Sequence, residues 1–362
     1  MRETIAVGLV LPFGCLDDPI RGMNHFVEHL LFNSKVAKDF LKIFNRKGIL
    51  YNGVTSYEYI LFYCQGLRSD RQLMIDFCES LLDNFEITEE EFEKEKKIVL
   101  SEIDYYSQNK IEIISNILVG NTDSLAILGS KDSVSSITRL DILGYVNNIK
   151  KTFAIADSDG EIITTNSRSR KRVEFVKNKN NTIKVIRNQN PDFNQYYGIG
   201  INVNREFSKY FKVFIDMFFN AINDEFREKS GLTYRIHSNS VQTSSLIQNQ
   251  FIFSVANEIY YLEVIKRIVD IFINMKQNIL NLNNQELEEY LERLETRSAI
   301  KLDNRLGMMK YNALRKIYRQ SEEVDNLLLE DDIKNTSLTV AVYNIDENNV
   351  RRECNEFTVE LI

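Results

Sequence analysis

A strand followed by two helices occurs twice in this 362-residue chain. Tyr59 to Gln65 reads as a strand, followed by a helical run over Gln72 to Leu82 and a longer one from Thr88 to Asn109. Gln250 to Val255 also reads as a strand, with helical runs after it over Leu262 to Met275 and Asn284 to Arg297. Order and spacing repeat with an offset of roughly 180–190 residues, which predicts a duplicated unit of sheet and helices. The fold class is therefore expected to be α+β, with two homologous sandwich units, each a mixed sheet covered by helices. Phe153 to Ala156 reads as the last strand of the first unit. The polar stretch from Asp157 to Lys171, with its basic run Ser167 to Arg172, reads as a solvated linker in preference to a nucleic-acid patch. The domains are expected at 1–165 and 166–362.

Two of the three histidines lie four apart, in His25-Phe-Val-Glu28-His29, inside the apolar run Met23 to Phe32. A helix turns ~100° per residue, so positions 25, 28 and 29 share one narrow arc. Imidazoles one turn apart can bind one Zn²⁺ at ~2.0–2.1 Å, and a carboxylate beside them can handle the proton of a water. The same pattern would also suit two core histidines beside a surface glutamate, so a third ligand has to be found.

The Thr88 helix offers candidates. Thr88 and Glu91 form a capping box, and Glu89 and Glu90 suit the positive end of a helix dipole. Phe92, Val99, Ile103 and Tyr106 make one apolar stripe, and Glu95 and Glu102 fall inside it. Carboxylates on a buried stripe need a cation or a donor to offset desolvation. A Lys or Arg partner at the helix edge would serve, and so would a metal shared with His25 and His29. The positions of the second half that correspond to the histidine motif fall near Ser208, Phe211 and Lys212, which cannot hold zinc. Metal is expected in the first unit alone.

His25, Glu28 and His29, with Glu95 and Glu102 downstream, resemble the pitrilysin/insulysin (insulinase-type, inverted zinc motif) metallopeptidase family. The chain looks like a small two-domain member, similar to the mitochondrial processing peptidase and to short bacterial peptidases. Gly48-Ile-Leu-Tyr-Asn52-Gly53-Val-Thr55 resembles the family's turn into an edge strand, with Tyr63 on that strand's continuation. Leu128-Gly129, Ile137-Thr138 and Leu143 resemble the stretch after the family's zinc helix. Phe226-Arg227 through Gly231 to Tyr234 matches an arginine–tyrosine element.

The resemblance implies a zinc-dependent endopeptidase acting on short extended peptides, a leader or precursor peptide in bacterial peptide maturation being one such substrate. It implies Zn²⁺ held by His25, His29 and Glu102, with Glu28 as general base and Glu95 orienting an imidazole. Asn52 and Gly53 would receive substrate as an added strand. Arg227 and Tyr234 would hold the peptide backbone and the charge developing on it. Gly231 should break the helix and put Tyr234 at the start of a strand. Two units form half of a clamshell-like chamber, so a homodimer or a heterodimer with a related metal-free subunit is expected. The alternative is a non-catalytic peptide-binding or structural subunit of a heterodimeric peptidase. Two departures stand out. Gly53 replaces the usual alanine, and the chain starts almost at the family's second strand, which could leave a bare sheet edge.

Composition excludes little else. The net charge of −7 argues against a nucleic-acid partner. No apolar run approaches a membrane span, and no signal segment opens the chain, so a cytoplasmic location is expected. Cys15, Cys64, Cys78 and Cys354 lack metal spacing and read as isolated thiols. His237 has no partner at ligand spacing.

Overall fold

The computed structural model describes residues 3–83, 85–120, 127–166, 180–187, 196–204, 207–243, 246–255, 261–302, 304–317 and 329–362. The first half runs β1 (Thr4–Leu11), α1 (Met23–Phe32), α2 (Lys35–Lys47), β2 (Leu50–Thr55), β3 (Ile60–Leu67), α3 (Arg71–Ser80), α4 (Glu89–Tyr106), α5 (Lys110–Val119), α6 (Lys131–Ser136), α7 (Arg139–Ile149), β4 (Phe153–Asp157) and β5 (Ile162–Asn166). The second runs β6 (Thr182–Ile186), β7 (Tyr196–Asn204), α8 (Phe211–Asn223), β8 (Ile236–Gln242), β9 (Leu246–Ser254), α9 (Tyr261–Leu280), α10 (Asn284–Leu302), α11 (Arg305–Ile317), α12 (Leu329–Asn335), β10 (Ser337–Tyr343), α13 (Glu347–Glu353) and β11 (Thr358–Leu361). The architecture is α+β, as the repeat predicts. The basic run 167–172 lies outside the described residues.

The chain forms two compact units that interleave in sequence. Unit 1 holds Met1–Gln108, Leu125–Arg172 and Ser298–Gln320, and unit 2 holds the remainder. The crossing at residue 109 corrects the expectation of one helix from Thr88 to Asn109. Helix α4 stops at Tyr106, and Asn109 caps a new helix by accepting the Ile111 and Glu112 amides at 3.2 and 3.3 Å. Helix α5 then joins unit 2, and α11 joins unit 1.

Unit 1 is built on an antiparallel sheet of order β2-β3-β1-β4-β5. Its central strand, TIAVGLVL, is apolar without alternation because both faces are covered. Ile5, Val7, Leu9 and Leu11 pack with Phe26 and Leu30 of α1, Phe77 of α3 and Phe92 and Val99 of α4. Ala6 and Val10 meet Met309 and Ala313 of α11 on the other face. Gly8 allows that close approach, since a Cβ there would lie 2.3 Å from Met309 Sδ. Strand β5 pairs with β4 through Ala154↔Thr165 and Ile155↔Thr164. Residues 162–166, expected within a solvated linker after the last strand, instead form the edge strand of this sheet.

Unit 2 has a sheet of order β11-β6-β10-β7-β9-β8, parallel where β6 meets β10 and β11. Here β6 occupies the place beside β10 that β5 takes beside β4. One face carries Phe214 and Phe218 of α8 and Ile265, Ile268 and Phe272 of α9. The other receives α5 through Ile113, Ile114, Ile117 and Leu118. Gly198 admits it, since a Cβ would come within 2.3 Å of Ile114 Cγ2. The C-terminal carbonyls of α5 also receive buried side-chain donors. Lys184 Nζ donates to Ile117 O at 2.8 Å, and Gln248 Nε2 donates to Leu118 O at 2.9 Å. Gln250 and Ser115 exchange two further bonds of 2.9 and 2.6 Å.

Candidate metal centre

Helix α1 is fixed at its start by a buried polar knot. Gly22 turns the chain with φ 84, and Asp18 accepts the amides of Gly22 and Asn24, both at 2.8 Å. The Asn24 side chain donates to Asp18, to Gly14 O at 2.8 Å and to the Tyr145 hydroxyl at 3.0 Å, which ties α1 to the loop after β1 and to α7. Burial lifts the Asp18 carboxyl to about 7, although the amides it receives pull the other way. Gly129, with φ 80, packs against Gly22, where a Cβ would lie 2.6 Å from Arg21 O. That contact is the physical content of the Leu128-Gly129 stretch.

From this base α1 presents His25, Glu28 and His29 towards α4 and β2. Glu102 Oε2 lies 3.1 Å from His29 Nε2 and 3.7 Å from His25 Nε2. Ligand atoms of His25, His29 and Glu102 all fall within 4.8 Å of one another. Four donors around one ion at ~2.1 Å would stand about 3.4 Å apart in a tetrahedron, and the two measured separations bracket that value. Glu95, 4% exposed, points Oε2 at His29 Nδ1 from 3.8 Å, on the side of the ring away from Glu102. Its separation from Glu102 along α4 keeps it off the shared point. The Glu95 Oε2 atom is buried without a hydrogen-bond partner, which marks the cluster as short of positive charge.

The electrostatics of the cluster point the same way. Burial, aided by His29, pushes His25 down to about 4 against the pull of Glu102. Burial alone would lower His29 as well, but the contact with Glu102 and the nearby carboxylates of Glu95 and Glu28 together outweigh it and lift the imidazole to about 9. The His29 contact in turn lowers Glu102. The donor set thus gathers one positive charge between two carboxylates, and a divalent cation fits the same demand.

Glu28 stands apart from the three donors. Its Oε2 accepts from Thr55 Oγ1 at 2.6 Å, and a Cβ on Gly53 would come within 2.5 Å of its Oε1. Burial raises the carboxyl, while the Thr55 hydroxyl and amide favour its ionised form. Thr55 lies in the edge-strand motif, but only the three-dimensional contact shows its role. Asn52 is exposed on β2, opposite Tyr63 of β3, and accepts the Gly53 amide at 2.9 Å.

Arg227 and Tyr234 belong to unit 2. Arg227 lies in a π-helical turn, Asp224–Lys229, half exposed beside Glu228 at 3.4 Å. Tyr234 is 91% exposed and stands two residues before β8 rather than at its start. Gly231 makes the break with φ 60, and the amides of Leu232 and Thr233 both return to Phe226 O. Arg267 braces the turn through Glu225 at 3.0 Å and Ser230 at 3.2 Å. His237 sits on β8, paired with Ile252.

Residues 1–130 match the family model for insulinase, peptidase family M16. An uncharacterized zinc protease of Bacillus subtilis is 26% identical over 156 residues, covering 40% of this chain and 38% of that protein. The mitochondrial-processing peptidase subunit beta of Neurospora crassa is 26% identical over 160 residues, covering 40% of this chain and 33% of the relative. The chain therefore spans under two fifths of the curated relatives it matches. A protease of Helicobacter pylori shares the fold with a TM-score of 0.71 at 14% identity, over 93% of this chain and 94% of that one. An inactive M16 peptidase domain from Pseudomonas fluorescens gives 0.69 at 15%, over 95% and 94%. The resemblance carried by the histidine motif is borne out, and no described helix is long and apolar enough to cross a membrane.

Proposed function

We propose that this chain, which carries the insulinase-family (M16) pattern over residues 1–130, is a zinc-dependent endopeptidase that hydrolyses short extended peptides. The convergence of His25, His29 and Glu102 beside an independently held Glu28 carries the reading. Bound there, zinc would polarise a peptide carbonyl and lower the pKa of water. Glu28 takes the proton of the attacking water and passes it to the leaving amine. Glu102 and His25 hold their donor atoms on one side of His29, while Glu95 faces the opposite ring nitrogen and keeps the imidazole oriented. Asn52 and the Gly53 backbone lie on the edge strand β2, which suits a peptide added as a further strand. Arg227 and Tyr234, exposed and held by a braced turn, are assigned to the carbonyls of the peptide and to the charge that develops on them.

Recognition through a strand edge reads backbone more than side chains, so the substrate class is an unfolded peptide, such as a leader removed during bacterial peptide maturation. We assign the chain to a cytoplasmic dimer, either with itself or with a related metal-free chain. Purified protein should cleave a mixed quenched-peptide library only with zinc. Glu28→Gln should keep its zinc and lose turnover by ~10²–10⁴-fold. Zinc-loaded wild type that cuts nothing would favour the alternative, a non-catalytic peptide-binding or structural subunit.

A further inference from the structure

Glu28 reaches strand β2, which receives it with two specific features. Thr55 turns its hydroxyl onto Oε2 at 2.6 Å, and Thr55 is buried, so water does not readily replace that bond. Gly53, two residues earlier and therefore on the same face of the strand, leaves a notch. A Cβ built on Gly53 would lie 2.5 Å from Glu28 Oε1 and 2.7 Å from Phe32 Cε2, both far inside contact distance. The Phe32 ring also packs against Tyr51 and Phe62, with centroids 6.1 and 5.3 Å away, so it has little room to yield. An added methyl group would instead displace the carboxylate, the free end of a flexible side chain.

We infer that Thr55 and Gly53 form a positioning seat for Glu28, in which the hydroxyl holds one carboxylate oxygen and the missing Cβ lets the other lie against the edge strand. This rests on the peptidase reading in assigning Glu28 as the base, and it adds two residues that act through Glu28 and touch no metal ligand. A hydrogen bond to a carboxylate is stronger than a neutral one, so its loss should be visible. The substitution of glycine for the alanine expected after Asn52 is then a functional feature of this chain: it matches how far Glu28 reaches onto β2.

The test uses the full chain, loaded with zinc, in four forms: Thr55→Val, Thr55→Ser, Gly53→Ala and the Thr55→Val/Gly53→Ala double variant. On the quenched-peptide library, Thr55→Val and Gly53→Ala should each lower kcat about tenfold or more while leaving KM and zinc content unchanged. Thr55→Ser should return towards wild type, and the double variant should lose little more than either single change, because both release the same carboxylate. Equal activity of Thr55→Val and wild type, a change confined to KM, or additive losses would overturn the seat. Crystal structures of the same variants decide the inference without turnover. The Glu28 carboxylate should leave its wild-type position in Thr55→Val and Gly53→Ala and regain it in Thr55→Ser. An unmoved carboxylate refutes the seat even in an active enzyme, whereas a wild type that cuts nothing refutes the peptidase reading and leaves this arm standing.

Discussion

The charge balance at His29 makes the stability of the metal-free protein depend on pH. Glu102 and Glu95 raise the imidazole from its ordinary 6.5 to about 9. A folded-state pKa above the unfolded one stabilises the fold while the proton is bound in both states. The contribution is therefore complete below about pH 6.5 and disappears as pH rises through about 9. That separation corresponds to about 3 kcal/mol, at 1.36 kcal/mol per pH unit. The lowered Glu102 reports the same ion pair from its other side and is not added to this figure. His25 acts in the opposite sense at acid pH. It is held down at about 4, so the unfolded chain takes up a proton first, and stability falls between about 6.5 and 4. The contribution of these two histidines to stability is thus greatest near pH 6.5, with a loss on either side.

Two measurements on chelator-treated protein check this. Imidazole nitrogen shifts read by NMR should place the His29 midpoint near 9 and leave His25 neutral through the physiological range. Urea unfolding of the full chain, followed by the signals of unit 1, should show stability falling by about 3 kcal/mol from pH 6.5 to 9. Glu102→Gln removes the main partner, so the slope should largely vanish in that variant. A His29 midpoint close to 6.5, or a flat profile from pH 6.5 to 9 in wild type, would refute the argument. Zinc should also abolish the alkaline loss, because a bound cation takes over the role of the His29 proton.

Three further perturbations test how the centre and its scaffold are held. Asn24→Ala removes the side chain that joins Asp18, Gly14 and Tyr145, and should cost about 1–3 kcal/mol in urea unfolding and weaken zinc affinity about tenfold, read by chelator competition. Gly8→Ala drives a methyl into Met309 Sδ and should destabilise unit 1 by about 1–3 kcal/mol; adding Met309→Ala should recover part of this. Gln250→Leu strips two bonds from Ser115 and one from Gln248, and should destabilise unit 2 by about 1–3 kcal/mol, with faster amide exchange in α5.

The residues of the candidate metal centre could be picked out because their information is local or periodic. The spacing of His25 and His29 is one helical turn, and Glu95 and Glu102 announce themselves by lying on an apolar stripe. The homologous strand–helix–helix order was legible for the same reason, since each element carries its own hydrophobic period. Thr55 was not, because its partner Glu28 is distant in sequence and a buried threonine in a strand reads as ordinary β-former chemistry. The end of α4 was missed because Ser107 and Gln108 do not break a helix by composition; the cap at Asn109 does.

The interleaving of the units was hidden for a deeper reason. Helix α5 has the sequence KIEIISNILV, apolar nearly all round, which says only that it is buried, not against which sheet. What selects the sheet is written in the receiving strands. Gly198 in β7 opens room for Ile114, and Gly8 in β1 opens room for Met309, each at the centre of its own sheet. Gln248, Gln250 and Lys184, polar residues facing inward on β9 and β6, look like errors of patterning until α5 supplies the carbonyls they bind. A glycine and a row of inward polar residues in a central strand are weak signals for strand stability but strong ones for a close helix. The same logic operates at the candidate metal centre, where the space of the missing side chain of Gly53, the glycine that departs from the family pattern, is taken by Glu28. In this chain the residues that look least suited to a strand are those that fix what packs against it.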